Sequence, residues 1–173
     1  MLKVQAKLYG ENVLTEASNE ARELYNKNRF GALKKDNVIL SLFEAFYLIE
    51  KDRLAIKENN KELSEDSFLK KAKRQIKNFQ VKYAVFKDLR DRGYIVKTAL
   101  KFGADFRVYD KGINPGEDHA KWIVFPVHES ETMTWHEFSA KNRVAHSTKK
   151  KLLIGIVDDE CDVTYYIIDW KRP

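Results

Sequence analysis

The stretch that decides the fold is FGADFRVYDKGINPGEDHAKWIVFPV, residues 102–127, with NRVAHSTKKK, residues 142–151, as its counterpart further on. Ala104, Phe106 and Val108 alternate with Asp105, Arg107 and Tyr109, the period of a strand with one buried face, and the alternation assigns Tyr109 to the polar face. Lys111 to Asp118 then breaks the ladder, because Gly and Pro favour turns and Pro has no N–H to donate. His119 stands at the exit of that loop, and Trp122 to Val127 reads as a short, continuous apolar strand. The expectation is a hairpin with Tyr109 and His119 near one end, followed by a polar helical segment and then a lysine at the start of another strand.

Working outward, the chain has 173 residues of which 43% are hydrophobic, enough for one domain or two small ones. No apolar run approaches the length of a bilayer span, and Met1-Leu2-Lys3-Val4 does not begin a signal peptide, so a cytoplasmic protein without membrane association is expected. The single cysteine, Cys161, excludes an internal disulfide and a cysteine metal cluster. A formal charge of +6 favours an anionic partner such as nucleic acid.

In order, Val4, Ala6 and Leu8 alternate before Gly10-Glu11-Asn12, and Val13-Leu14 completes a hairpin. Thr15 to Asn28 has helical composition. Ser41 and Glu44 form a capping box for a helix with Leu42, Ala45, Phe46 and Ile49 on one face. Leu54 to Ile56 is a short strand ended by Asn59-Asn60. Ser64 caps the next helix, whose apolar stripe reads Leu69, Ala72, Ile76 and Phe79, while Lys70, Lys71, Lys73, Arg74 and Lys77 read as a solvated face.

A change of character near residue 80 suggests an N-terminal α/β domain over 1–80 and a second domain over 81–173. Tyr83, Val85, Phe86 and Leu89 give a helix stopped by Gly93, then Ile95 to Leu100 and Ala104 to Tyr109 give two strands. Thr134 and Glu137 cap a helix reaching Ser147, with Trp135, Phe138 and Ala145 on one face. Leu152 to Val157 and Val163 to Trp170 are strands joined by the acidic turn Asp158-Asp159-Glu160-Cys161-Asp162. The class is α/β (α+β), with a sheet flanked by helices in the second half.

The runs YAVFKDLRDRGYIVK (83–97), GADFRVY (103–109) and RVAHSTKKKL (143–152) resemble the archaeal tRNA-splicing endonuclease family, also called tRNA-intron endonuclease, across the whole C-terminal half. Leu40 to Glu50 is the most recognisable part of the other half. The resemblance implies a C-terminal domain similar in fold to restriction endonucleases, with a central mixed sheet. It also implies catalysis by a tyrosine, a histidine and a lysine, which by motif fall on Tyr109, His119 and Lys150. Lys150 lies seven residues beyond Arg143, and Lys149 is the fallback. The implied substrate is the bulge-helix-bulge of precursor tRNA, with Arg143, and secondarily Trp170, stacking on a bulged base. Chains of this length act in the family as tetramers, homotetramer or heterotetramer, and the turn carrying Asp158, Asp159, Glu160 and Asp162 resembles a loop that docks into a basic groove on the opposing dimer.

The chemistry is consistent with those residue types. RNA carries its own nucleophile, the 2′-hydroxyl, so the protein must supply a base, an acid and a cation, and no cofactor. An imidazole suits protonation of the leaving 5′-oxygen, an ammonium suits the extra negative charge on phosphorus, and a phenolate suits the base. His146 is the rival histidine, expected to pack or cap its helix, and His128 and His136 have no supporting motif. A metal-dependent nuclease is the competing enzyme reading. Asp105 could be one ligand, but His119-Ala120-Lys121 stands where a second acid is needed, and one carboxylate holds a hard divalent ion poorly. The remaining alternative is a noncatalytic RNA-binding or scaffold subunit.

Overall fold

The computed structural model describes residues 3–58, 61–113 and 119–171. Asn59-Asn60 and most of the expected loop before His119, Asn114 to Asp118, therefore lie outside the described residues. The chain divides into two compact units, Met1–Phe79 and Gln80–Pro173. Among the described residues the secondary structure is mixed, with five α-helices and two mixed sheets. No helix among them is long and apolar enough to cross a membrane.

In the first unit, β1 (Val4–Tyr9) and β2 (Asn12–Thr15) form the expected hairpin. It turns on Gly10 at a φ of 55°, a conformation costly for residues with a Cβ. Ser18 caps α1 (Asn19–Asn26). Two strands absent from the sequence reading follow, β3 (Ala32–Lys34) and β4 (Asn37–Ser41), with β4 pairing to both β2 and β3. The capping box at the start of α2 (Leu42–Glu50) is present, and Glu44 within it is only 4% exposed. Its carboxylate also accepts the Gly31 N–H at 2.7 Å, so a buried charge is hydrogen-bonded from both sides. A Cβ on Gly31 would lie 2.5 Å from the Ile39 carbonyl oxygen, so only glycine fits there. The sheet, in the order β3-β4-β2-β1-β5-β6, is completed by β5 (Leu54–Glu58), parallel to β1, and the short β6 (Lys61–Glu62).

One helical stripe is corrected. Ser64 caps α3 (Glu65–Gln75) as expected, but Phe68 and Ala72 are its buried residues and Leu69 is only partly covered. The chain is extended at Ile76 and adopts a left-handed φ of 57° at Asn78, so Phe79 belongs to the next helix.

The second unit opens with α4 (Phe79–Asp91). It ends as expected at Gly93, which has a φ of 90°, while the N–H groups of Gly93 and Tyr94 return to the carbonyls of Arg90 and Leu89. The sheet order is β11-β10-β9-β8-β7. Its members are β7 (Ile95–Thr98), β8 (Phe106–Tyr109), β9 (Trp122–His128), β10 (Lys151–Val157) and β11 (Val163–Ile168). The strand expected to reach Leu100 stops at Thr98 and gives way to a 3₁₀ turn over Leu100–Phe102. Ala104 lies outside β8 but is buried all the same.

Strands β9 and β10 are parallel, and α5 (Trp135–Ser147) is the crossover between them. Ala145 of α5 packs in one cluster with Ile123, Phe125, Leu152 and Ile154. On the opposite face, Phe86 of α4 meets Phe106 at 5.8 Å between ring centroids, and Gly155 gives Val85 room to approach. Trp135, expected on the buried face of α5, is instead 83% exposed and stands edge-on to Phe138.

Candidate active site

The site follows from which strand ends meet. Strand β8 runs antiparallel to β9, so its last residue, Tyr109, lies at the end where β9 begins. Strand β10 runs parallel to β9, so its approach through Lys150 lies at that end too. His119 precedes β9 by three residues, and the same end therefore receives it. Neighbouring strands lie about 4.8 Å apart, which puts the β8 and β10 backbones roughly 10 Å from one another.

Register also fixes the face. Arg107 and Leu152 both pair with Ile123, so these three share a face, and alternation carries it to Tyr109. That face is the one beneath α5. Lys150 reaches it as well, since its ammonium lies 5.8 Å from the centre of the Phe102 ring, and Phe102 packs against the same cluster.

Tyr109 departs from expectation. It was assigned to a polar face, yet it is 4% exposed and clusters with Ile95, Ala120 and Ile113. Alternation did identify its companions on that face, because Arg107 lies there with its guanidinium carbon 5.8 Å from the tyrosine ring centre. The face is covered by other elements of the unit, which the local pattern does not report. A β-bulge contributes: Val108 pairs with Trp122, but its carbonyl accepts the Lys121 N–H at 2.9 Å, so two residues oppose one. The extra residue brings Ala120, rather than a lysine, against Tyr109.

The C-terminus of α5 gives the two lysines different exposure. Lys149 adopts a left-handed φ of 57°, its N–H returns to His146 and the Lys150 N–H returns to Ala145, the two bonds of a Schellman motif. This turn leaves Lys149 exposed and makes Lys150 half-buried. Lys150 Nζ then donates to the Thr148 carbonyl at 2.9 Å, at a helix end whose dipole favours a cation.

His119 is exposed beside buried Ala120. Arg143 is exposed on α5, one turn before His146. Trp170 is reached by extending β11, whose Ile168 pairs with Leu152, so it sits across from Lys150 at the same sheet end. Its ring lies 4.5 Å from that of His146, and the residue is 48% exposed. Lys121, not singled out by the sequence, donates to Asp110 at 3.0 Å. That bond and the Lys111 N–H hold the Asp110 carboxyl below the usual carboxylate range.

Asp105, the candidate metal ligand, is paired with Lys82 at 2.7 Å, with both side chains mostly buried. Among the described residues there is no group of three or more His, Cys, Asp or Glu placed to hold a metal ion.

The acidic turn lies at the other end of the sheet, where β10 finishes. The Asp158 carboxylate accepts the N–H groups of Glu160 and Asp162 at 3.0 and 2.9 Å. Asp159 meets His128 Nε2 at 3.2 Å. Ser130 N–H donates to the Nδ1 of that ring, which leaves Nε2 as the nitrogen carrying hydrogen toward Asp159. Glu160 and Asp162 are exposed.

Comparison with known proteins agrees across both units. Residues 79–165 match the family model for the tRNA intron endonuclease catalytic C-terminal domain, and residues 4–69 match that for its N-terminal domain. A tRNA-splicing endonuclease of Methanothermobacter thermautotrophicus is 41% identical over 172 residues, covering 99% of this chain and 100% of the relative. One from Nanoarchaeum equitans is 47% identical over 144 residues, 80% of this chain and 92% of the relative. One from Pyrococcus abyssi is 41% identical over 165 residues, 95% of each.

Proposed function

The chain belongs to the tRNA intron endonuclease family, enzymes that cut introns from precursor tRNA, and from that premise we propose a metal-independent mechanism centred on Tyr109, His119 and Lys150. Tyr109, as its phenolate, takes the proton of the 2′-hydroxyl beside the scissile bond and becomes the phenol. The 2′-oxygen attacks phosphorus, the bond to the 5′-oxygen breaks, and His119 gives that oxygen its proton. Lys150 stabilises the additional negative charge of the pentacoordinate phosphorus. The products are a 2′,3′-cyclic phosphate and a 5′-hydroxyl.

The observation that carries this reading is the common sheet end: a buried phenol, an exposed imidazole and a half-buried ammonium arrive there from β8 and from the approaches to β9 and β10. Lys111, Lys121, Lys149 and Lys151 belong to the same end and suit a polyanionic substrate.

The substrate element is the bulge-helix-bulge. A-form helix holds the attacking and leaving oxygens out of line, so cleavage requires a nucleotide that can be splayed out. Arg143 and Trp170 receive the extruded base by stacking. Two such bulges call for two sites on one frame. The enzyme accordingly acts as a tetramer in the cytoplasm, either of four identical chains or of two catalytic and two partner chains. The open edge of β11 pairs across a dimer, and the turn at Asp158 to Asp162 docks on the opposing dimer.

The test is His119→Ala. Cleavage of a bulge-helix-bulge RNA falls by about 10²- to 10⁴-fold while binding in a gel-shift assay is retained. Full activity in that variant, with kcat abolished by His146→Ala alone, would overturn the assignment.

A further inference from the structure

We infer that His146 is a positioning residue for RNA binding, holding the Trp170 indole as a stacking surface beside the catalytic end of the sheet. The inference rests on the reading of Trp170 given above and adds a residue to it. The two rings are 4.5 Å apart between centroids and tilted by 46°, within the range of attractive aromatic contacts. Trp170 lies two residues beyond the last residue of β11, outside the ladder. The ring contact with His146 holds it, as does the pairing of its neighbour Asp169 with Lys151 at 3.1 Å. With its ring against the imidazole, Trp170 still keeps 48% of its residue surface exposed, which suits a base-stacking platform.

The backbone of His146 is equally constrained. Its carbonyl accepts the N–H groups of Thr148 and Lys149 in the turn that delivers Lys150. One helix end therefore sets the ring that props Trp170 and the approach of the catalytic ammonium. Arg143 stands three residues earlier, one turn away on the same side of α5, so both proposed base contacts are referred to a single rigid element. Imidazole suits this prop because it offers a flat face to the indole while its nitrogens tolerate water, as the exposure of His146 requires.

The experiment is steady-state cleavage of a bulge-helix-bulge RNA by His146→Ala, His146→Phe, His146→Gln, Trp170→Ala and the His146→Ala/Trp170→Ala double variant. An aromatic contact of ordinary strength corresponds to about a three- to tenfold effect. His146→Ala and His146→Gln are expected to raise KM by that factor with kcat changed less than about twofold. His146→Phe restores KM, and the double variant is no worse than Trp170→Ala alone. A raised KM in Trp170→Ala with none in His146→Ala, or additive effects in the double variant, overturns the prop and leaves Trp170 as a base contact. No effect of Trp170→Ala on KM overturns both. Circular dichroism of each variant separates these outcomes from loss of fold, since a folding defect would reduce active enzyme and appear in kcat.

Discussion

The two ends of the C-terminal sheet are built from the same strands and carry opposite charge. Where β8 finishes and β9 and β10 begin, Lys111, Lys121, Lys149, Lys150 and Lys151 gather, and among the described residues Asp110 and Asp169 there are each bound to a lysine. Where β9 and β10 finish, Glu129, Glu131, Asp158, Asp159, Glu160 and Asp162 gather, with Asp159 against the His128 ring. Helix α5 returns from the acidic end to the basic one. Its N-terminal partial positive charge therefore meets the acids and its C-terminal partial negative charge meets the lysines. On the proposed reading, a parallel pair of strands with one crossover helix separates two tasks: the basic end would attract RNA, and the acidic end would repel it and suit a basic protein surface.

The strongest challenge to this division is at Lys150. Lys150→Ala should lower the single-turnover rate by about 10²- to 10³-fold, whereas Lys149→Ala, one residue away but turned outward, should stay within about threefold. The reverse ranking would move the catalytic cation to the exposed side of the helix end. Gly155, midway along β10, tests the frame the two ends share. A Cβ there meets Val85 at 2.9 Å and Tyr165 at 3.3 Å, so Gly155→Val should cost about 1–3 kcal/mol by denaturant unfolding. An unchanged midpoint would mean that α4 packs against the sheet less tightly than described.

Smaller effects sharpen the acidic end. Glu160→Lys with Asp162→Lys leaves the backbone of the turn intact, because the Asp158 carboxylate holds it through their N–H groups. Sedimentation should show tetramer dissociating at about tenfold higher concentration than wild type, and more so at low salt. No change would remove the turn from the assembly. Smallest is Glu137→Gln at the capping box. The Thr134 N–H and hydroxyl hold the Glu137 carboxyl below its usual value of 4.5. A depressed folded-state value stabilises above the unfolded one and is lost as pH falls through the folded one. The variant's slight deficit in thermal stability at neutral pH should therefore shrink as pH falls below 4.5 and vanish in stronger acid, once the folded-state carboxyl is protonated.

What was legible in sequence is what local periodicity encodes: the first hairpin, both capping boxes, the helix ended by Gly93 and the hairpin that sets Tyr109 against the approach to β9. Strand β3 escaped because all three of its residues are exposed, which leaves no apolar pattern to read, while β4 does alternate, with Val38 and Leu40 buried, but is only five residues long and runs directly into the helix capped by Ser41. The stripe from Leu69 to Phe79 kept helical spacing across a break, since spacing does not register a left-handed residue at Asn78. Burial of Tyr109 depends on Ile95 and Ala120 closing on it from neighbouring segments, and a bulge at Lys121 shifts its cross-strand partner. The ring contact of His146 with Trp170 and the pairing of Asp105 with Lys82 likewise join residues that no window contains. Convergence at one sheet end depended on β10 lying parallel beside β9, which is a fact of topology.

The measurement that tests the central claim most directly is cleavage of a bulge-helix-bulge RNA by the purified chain in excess EDTA, with the chemical nature of both new ends determined. Undiminished cleavage leaving a 2′,3′-cyclic phosphate and a 5′-hydroxyl is the result predicted for a phenol, an imidazole and an ammonium acting on the 2′-hydroxyl. Cleavage that needs added magnesium, or that leaves a 5′-phosphate, would contradict it.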